Sequence, residues 1–397
     1  MPSRLDTTHH TTLVLLALTA TLSVAASQAF LGLGLVLMVF RWTRGERPAR
    51  TGLEGPALAL TLWALAMIPL SGDPQQSLLF SRRWFLLSAI WVAATLGGSR
   101  RWSLWTLGGL TLGAVYVSIY GVIKALKIGG AHIEKSGQLA GRAGMFQGYM
   151  TGAGLLMMVG VVLLAALIIL RRRRLQVVAG ASLAVVLVCL VMTMTRSAWF
   201  GFAAGSALVV GLCRARWVLV LAALGTVMVF FLPDVIQGRL MSAFDPANEA
   251  NTQRMLMWET GWEWVVEHPI TGVGDHDLKN LYREHHAGVE GVEIQGHLHS
   301  NLVQFAAIWG IPGLVLAVFF LLAVVVQLGR RWRFLKATPT EDLDLARIWS
   351  LGALGAWVGF MVAGFFEWNF GDAEVGLLLW LLVGMALARL PEVAGNE

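Results

Sequence analysis

Residues 191–202 read VMTMTRSAWFGF and lie in the middle of a long apolar stretch. Arg196 is the only charged residue of that stretch. A charged side chain at the centre of a bilayer costs at least ~2.5 kcal/mol on insertion scales. The stretch is therefore better explained as two membrane-spanning helices that meet in a short turn at Arg196, close to a membrane surface.

The composition of the whole chain agrees with this interpretation. Of the 397 residues, 56% are hydrophobic and 14% are charged, whereas soluble domains carry about 25% charged residues. A span needs about 20 mostly apolar residues, and about twelve segments qualify. They lie near residues 11–25, 28–40, 54–70, 78–97, 103–123, 148–170, 175–194, 197–213, 217–232, 302–328, 345–366 and 373–389. The sequence predicts an all-α polytopic membrane protein with about twelve transmembrane helices.

The first apolar segment allows two interpretations. It ends before SVAASQA, residues 23–29, and so also resembles a cleavable signal peptide. We expect it to remain as a span, because multi-spanning proteins rarely need a removable one.

Basic residues concentrate on one side of the predicted membrane. With the amino terminus inside, every strongly basic loop falls on the cytoplasmic side, as the positive-inside rule requires. These loops read RWTRGERPAR, GGSRRW, RRRR, CRARW and GRRWRFLK. The net charge of +6 therefore reflects topology, and nucleic acid is not expected as a partner. Cys189 and Cys213 both lie within spans, which predicts no disulfide framework.

One outer loop is long enough to fold as a small module. The predicted organisation is nine spans in residues 1–232, an outer loop module in residues 233–300 and three spans in residues 301–397. A second outer loop of moderate length covers about residues 124–147. The long loop holds six of the nine histidines, and we expect functional side chains there.

Within the long loop, NTQRMLMWETGWEWVVEHP is predicted to be an amphipathic helix. Asn251 or Thr252 can cap its start, and Pro269 follows its end. Such a helix could lie on the membrane surface or cover a cavity, and its Trp258 is a candidate substrate contact. Arg254 lies near the helix start, where a cation is unfavourable unless a bound anion shares the free amides.

Five arginines fall on the predicted outer side, where the positive-inside rule does not explain them. They are Arg82, Arg83, Arg142, Arg196 and Arg254. Each can be an ordinary interfacial anchor or loop charge. For Arg196 we favour a phosphate clamp, because a guanidinium fork matches phosphate oxygens and no carboxylate is nearby in sequence. Glycines flank Arg142 and let the backbone approach a ligand, and Arg82 and Arg83 are candidate substrate contacts.

The long loop ends in GHLHSNLVQFAAIWGIPGL. His297 and His299 are two residues apart, which in an extended segment places both side chains on one face. Histidine can act as a general base at neutral pH and deprotonate a hydroxyl acceptor. The alternative is an interfacial histidine bonded to a backbone carbonyl. The DHD sequence at Asp275–Asp277 suggests a metal site, but it has no matched ligand set, and no metal site is predicted.

Three motifs resemble the bacterial O-antigen ligase and O-antigen polymerase superfamily. TMTRSAWFGF resembles its Thr-x-Ser-Arg-Gly-x-Trp segment and places Arg196 on the essential arginine, with Thr195 and Ser197 in place of Ser and Gly. RMLMWETGWEWVVEHPITGVG resembles its Arg-x-x-x-Trp helix followed by Pro-x-x-Gly-x-Gly and places Arg254 on the loop arginine. HSNLVQFAAIWGIPG is similar to the His-Asn-x-x-Leu stretch. Matching its two glycines places His299, rather than His297, on the catalytic histidine.

The resemblance implies a GT-C-type, inverting glycosyltransferase of the bacterial inner membrane whose active site faces the periplasm. It would transfer O-antigen polysaccharide from undecaprenyl diphosphate to a lipid A-core sugar hydroxyl. Arg196 and Arg254 would bind the diphosphate and His299 would accept the proton, with no cofactor or metal implied. An O-antigen polymerase or a protein O-oligosaccharyltransferase remains an alternative. A transporter of an anionic substrate is a different class, and the absence of a sequence repeat disfavours it.

Overall fold

The chain folds almost entirely into helices. The computed structural model describes residues 4–133, 139–338 and 340–390. Its α-helices are α1 Arg4–Thr19, α2 Val24–Thr43, α3 Glu54–Met67, α4 Pro74–Ser81, α5 Ser88–Leu96, α6 Arg100–Lys127, α7 Tyr149–Ile169, α8 Arg173–Met192, α9 Arg196–Arg214, α10 Arg216–Val229, α11 Asp234–Met241, α12 Glu249–Glu267, α13 Lys279–His285, α14 Asn301–Ala337, α15 Asp344–Ala363 and α16 Ala373–Ala386. Short 3-10 helices cover Ile68–Leu70, Arg82–Leu87 and Glu341–Leu343. Two strands of two residues, β1 His132–Ile133 and β2 Leu139–Ala140, pair antiparallel in the predicted second outer loop, of which residues 134–138 lie outside the described residues.

The prediction of an all-α polytopic membrane protein is confirmed, although fewer helices than predicted are long enough to span by themselves. Eight helical segments of the described chain are long and apolar enough to cross a membrane, judged by length and composition. They are Val24–Thr43, Pro74–Leu96, Arg100–Lys127, Tyr149–Ile169, Arg173–Met192, Arg196–Arg214, Asn301–Ala337 and Glu341–Ala363. Shorter apolar helices cover Glu54–Leu70, Arg216–Val227 and Ala373–Ala386. With α1, these account for the twelve predicted segments, each of which is helical.

Helices α7, α9 and α15 form the centre of the bundle, and glycines allow their close approach. A Cβ atom added at Gly205 of α9 would lie 2.5 Å from the carbonyl oxygen of Gly355 in α15. One turn earlier, a Cβ atom at Gly201 would lie 2.5 Å from the carbonyl oxygen of Gly359. The small residues therefore set the distance between α9 and α15, and with it the position of Arg196 at the start of α9.

Helix α14 is broken at Gly310, where φ is 66° and ψ is −175°. The break interrupts the helical hydrogen bonds, and Pro312 has no N–H to donate. Carbonyl groups in the turn before the break therefore lack their usual helical donors. The segment of the long loop that follows α12 fills this gap. Val273 N–H donates to Ala307 O at 2.8 Å and Gly274 N–H donates to Ile308 O at 3.1 Å, while Ile311 N–H donates to Pro269 O at 2.8 Å. The loop is thus fixed to the middle of α14.

The predicted loop helix is present as α12, but its start differs from the prediction. It begins at Glu249 after Asn248, so neither Asn251 nor Thr252 caps it. The Asn251 amide instead donates to Ser242 O at 3.0 Å and Asp245 O at 2.8 Å. The predicted end is confirmed, since Pro269 follows the last turn. Asn251 therefore holds the start of α12 against the preceding loop.

The glycine contacts in the bundle centre give a first prediction. Gly205→Val should push α9 away from α15, because the added Cβ atom meets backbone, and overpacking of this kind costs about 1–3 kcal/mol. We expect a lower unfolding temperature in detergent. Gly108→Val on α6 is the matched control, because a Cβ atom there meets no other atom within 4 Å. Equal unfolding temperatures for the two variants would contradict the close packing of α9 and α15.

Candidate active site

Arg196 lies in the tight turn that joins α8 to α9. Met194 in this turn has φ of 55°, a conformation that is strained for a residue with a side chain. The Arg196 side chain is oriented by two neutral acceptors, donating to Ser242 Oγ at 2.9 Å and to Asn251 Oδ1 at 3.0 Å. Only 7% of the residue is exposed. The guanidinium is therefore held in place without being neutralised.

Three other arginines gather around Arg196. We call Arg142, Arg196, Arg239 and Arg254 the arginine cluster, because the charges of Arg142 and Arg254 act on Arg196 and all three act on Arg239. Burial and these neighbouring charges lower the pKa of Arg239 to about 10. Among the described residues, no carboxylate lies within ion-pair distance of the cluster. A site with this charge distribution favours a polyanionic ligand.

The other members of the cluster come from separate segments, and two of them are fixed by backbone carbonyl groups. Arg254 Nε donates to Phe366 O at 3.1 Å, and Arg239 Nε donates to Met194 O at 3.1 Å. The Arg142 guanidinium lies 4.5 Å above the Tyr149 ring, and its Nε atom is buried without a partner among the described residues.

His299 lies beside the cluster and contacts an acidic residue. Its Nδ1 atom is 2.9 Å from Glu367 Oε1, with side-chain exposures of 14% and 13% for the two residues. Burial would raise the pKa of Glu367, but contact with His299 and the charges of His297 and Arg254 hold it below its usual value. His299 itself has φ of 46°. An anionic carboxylate therefore faces one ring nitrogen of His299 and leaves the other free for chemistry.

The contact between His299 and Glu367 depends on Asn301, the first residue of α14. Asn301 N–H donates to Gly364 O at 2.7 Å, and its side-chain oxygen accepts from Asn369 N–H at 3.0 Å. Asn301 therefore clamps the start of α14 to the segment 364–372, which joins α15 to α16 and carries Glu367.

The ring of His297 lies next to that of His299, with ring centroids 4.2 Å apart and the ring planes tilted by 57°. Burial and the nearby His299 lower the pKa of His297 to about 4. Donor atoms of His297, His299 and Glu367 all lie within 4.8 Å of one another and could hold a metal ion. In the described part of the chain, this is the one group of three or more such side chains close enough to do so.

The DHD segment does not converge on one point. Asp275 lies 3.7 Å from Arg83, while His276 contacts the carbonyl oxygens of Asp277 and Val273. Burial raises the pKa of Asp275. The segment belongs to the anchor of the loop on α14 and to the surroundings of Arg83.

Most of the predicted site residues come together, and two do not. Arg142, Arg196, Arg254, His297 and His299 meet as described above. Trp258 joins them through Phe366, with ring centroids 6.3 Å apart. Arg82 is exposed, and Arg83 lies beside Asp275 on the wall of an apolar groove instead.

Sequence reasoning missed Glu367 and Arg239. Glu367 opens the short outer loop EWNFGD, and its position at the outer end of the eleventh predicted span was a signal that could have identified it. Arg239 lies in α11, which the sequence does not mark by any strong periodicity, and only the fold places it beside Arg196.

Residues 181–318 match a family model described as O-antigen ligase. This match supports membership of the chain in the O-antigen ligase family. No curated protein matches the chain. The O-antigen ligase family suggests a glycosyltransferase-like function in polysaccharide assembly, with polysaccharide and lipid-linked substrates. The matched region contains Arg196, Arg239, Arg254 and His299, whereas Glu367 lies beyond it.

The low pKa of His297 gives a second prediction. Between pH 6.5 and about 4 the unfolded chain binds a proton here that the folded protein does not, so stability falls as the pH is lowered through this range. The loss should reach about 2 kcal/mol by pH 5. His297→Gln removes this titration, so its unfolding temperature should fall less than that of the wild type between pH 7 and pH 5. The matched control is His268→Gln, because His268 is exposed. If the unfolding temperatures of His297→Gln and His268→Gln fall equally between pH 7 and pH 5, the folded protein does not hold His297 in its neutral form.

Proposed function

We propose that the protein transfers a polysaccharide from undecaprenyl diphosphate to a sugar hydroxyl of lipid A-core, at the periplasmic face of the bacterial inner membrane. The observation that carries this proposal is the arginine cluster, which forms no ion pair within the described residues, next to a histidine that a half-buried glutamate contacts. The first feature suits a diphosphate leaving group, and the second suits the activation of a hydroxyl. Membership of the O-antigen ligase family supports the same class of reaction.

The arginine cluster would bind the diphosphate of the donor. Arg196 is already oriented by Ser242 and Asn251, so little side-chain freedom is lost when a phosphate binds. As the bond from the sugar to the phosphate oxygen breaks, negative charge grows on the leaving diphosphate. Fixed donors directed at such charge are commonly worth ~3 kcal/mol each. Arginines can therefore supply the stabilisation that other glycosyltransferases obtain from a metal ion.

His299 would act as the general base. With its Nδ1 proton facing Glu367, Nε2 carries the lone pair and can accept the proton of the acceptor hydroxyl. The hydroxyl oxygen then forms the new bond to the anomeric carbon, and the old bond breaks with its electron pair leaving on undecaprenyl diphosphate. A single displacement of this kind inverts the anomeric centre. Glu367 positions the ring and stabilises the imidazolium that results.

His299 provides the third prediction, tested in a ligase-null bacterial strain. The wild-type protein should restore a ladder of capped lipopolysaccharide on a gel, and this ladder selects a ligase over a polymerase, a protein O-oligosaccharyltransferase or a transporter. His299→Ala should abolish the ladder while the protein still inserts and binds donor lipid. His268→Ala, an exposed histidine of the same loop, should restore the ladder.

Two outcomes would contradict the role of His299. One is a full ladder with His299→Ala. The other is loss of purified wild-type activity in excess chelator that added Zn²⁺ restores, because His297, His299 and Glu367 would then serve as metal ligands.

Arg196 provides the fourth prediction. Arg196→Lys should lower kcat about 100-fold or more, because an ammonium keeps the charge but not the fork that contacts two phosphate oxygens. Transfer by the purified enzyme from a lipid-linked donor measures this. Arg283→Lys, an exposed arginine bonded to Asn280 in the same loop, is the matched control. If Arg196→Lys keeps the wild-type kcat, a positive charge alone is sufficient, and the proposed contact of Arg196 with two phosphate oxygens is wrong.

A further inference from the structure

An apolar groove descends from the candidate active site along α14. It is lined by α3, the 3-10 helix Arg82–Leu87, α14 and α16. Aromatic side chains dominate its wall, among them Trp84, Phe305, Trp309, Phe320, Trp368 and Trp380. Its wall includes Phe305 and Trp309 before the break in α14 and Ala317 and Leu321 after it. A groove that follows an apolar helix on both sides of its break has the shape and chemistry of a site for a lipid chain.

The segment 364–372 separates the groove from the arginine cluster. Phe366 contacts Arg254 and Trp258 on the cluster side. Glu367 meets His299. The next residue, Trp368, lines the groove together with Phe370. The histidine and glutamate pair therefore stands between the cluster and the mouth of the groove.

The relative positions of the arginine cluster, the His299–Glu367 pair and the groove indicate which lipid the groove would hold. In an inverting displacement the nucleophile and the leaving group lie on opposite faces of the sugar ring. The leaving diphosphate belongs to the arginine cluster, so the acceptor must approach from the side of the base. Trp368 and Phe370, which line the groove, follow Glu367 in the chain and so lie on that side. A donor lipid with its diphosphate in the cluster would have to pass its chain across His299 and Glu367 to reach the groove.

We propose that the groove binds an acyl chain of the acceptor lipid and thereby brings the acceptor hydroxyl to His299. This inference rests on the proposed function and adds a site for the acceptor that is separate from the diphosphate site. Arg83 and Asp275, 3.7 Å apart, are the two charged residues of a wall that is otherwise apolar.

Gly376 allows the groove to be filled without disturbing the fold. It lies in the groove wall on α16, and a Cβ atom added there meets no other atom within 4 Å. Gly376→Phe should raise the KM for intact lipid A-core about tenfold, as expected when a few buried methylene groups lose their place. The KM for chemically deacylated core and for the donor, and kcat with either acceptor, should stay unchanged. Gly108→Phe on α6, which also meets open space, should match the wild type throughout.

The outcomes separate this inference from the proposed function. An unchanged KM for intact lipid A-core in Gly376→Phe, or a raised KM for the donor instead, would overturn the groove assignment while transfer itself persists. If the wild type transfers to neither acceptor, the proposed function fails.

A second measurement does not depend on activity or on a variant. A lipid A probe with a photoreactive acyl chain, in phospholipid vesicles, should label α14 and α16 of the wild type. Labelling of these helices by a photoreactive polyprenyl diphosphate, and not by the lipid A probe, would assign the groove to the donor and overturn the inference.

Discussion

The central constraint of the structure is the repulsion among four guanidinium groups, none of which forms an ion pair with a carboxylate among the described residues, although the charge of Glu367 acts favourably on Arg254. Like charges in a partly buried site disfavour each other, and each also loses hydration. The protein holds them with neutral groups: the side chains of Ser242 and Asn251 for Arg196, and a backbone carbonyl for Arg254. Neutral acceptors orient the donors and leave their charge available.

Backbone strain marks the same site. In the described chain, the two residues other than glycine with positive φ are Met194 and His299. Met194 lies in the turn that presents Arg196, and His299 is the candidate base. Such conformations cost on the order of 1–3 kcal/mol each and persist only where the surroundings enforce them. Here the α8–α9 turn enforces the first, and the Asn301 clamp beside the segment 364–372 enforces the second.

The sequence was informative where a residue violates a general rule and silent where contact arises only from packing. Each of the twelve apolar segments that hydropathy located is helical in the structure. The arginines on the predicted outer side and the family motifs identified Arg196, Arg254 and His299 as candidates. Glu367 could not be paired with His299, because that contact depends on how α14 packs against the α15–α16 connection. The start of α12 was misplaced because Asn251, a good cap by type, uses its side chain to bind Arg196 and loop carbonyls.

The break in α14 explains how residues from distant segments keep a fixed geometry. Arg254 is carried by α12 and His299 by the residue pair before α14, so their separation depends on how α12 is attached to α14. Gly310 and Pro312 free backbone groups in the middle of α14, and the segment that follows α12 uses them for three hydrogen bonds. A straight helix would have satisfied those groups internally and offered the loop nothing to bind. The irregularity of α14 therefore joins the loop helix to the bundle, and it fixes the position of Arg254 relative to His299.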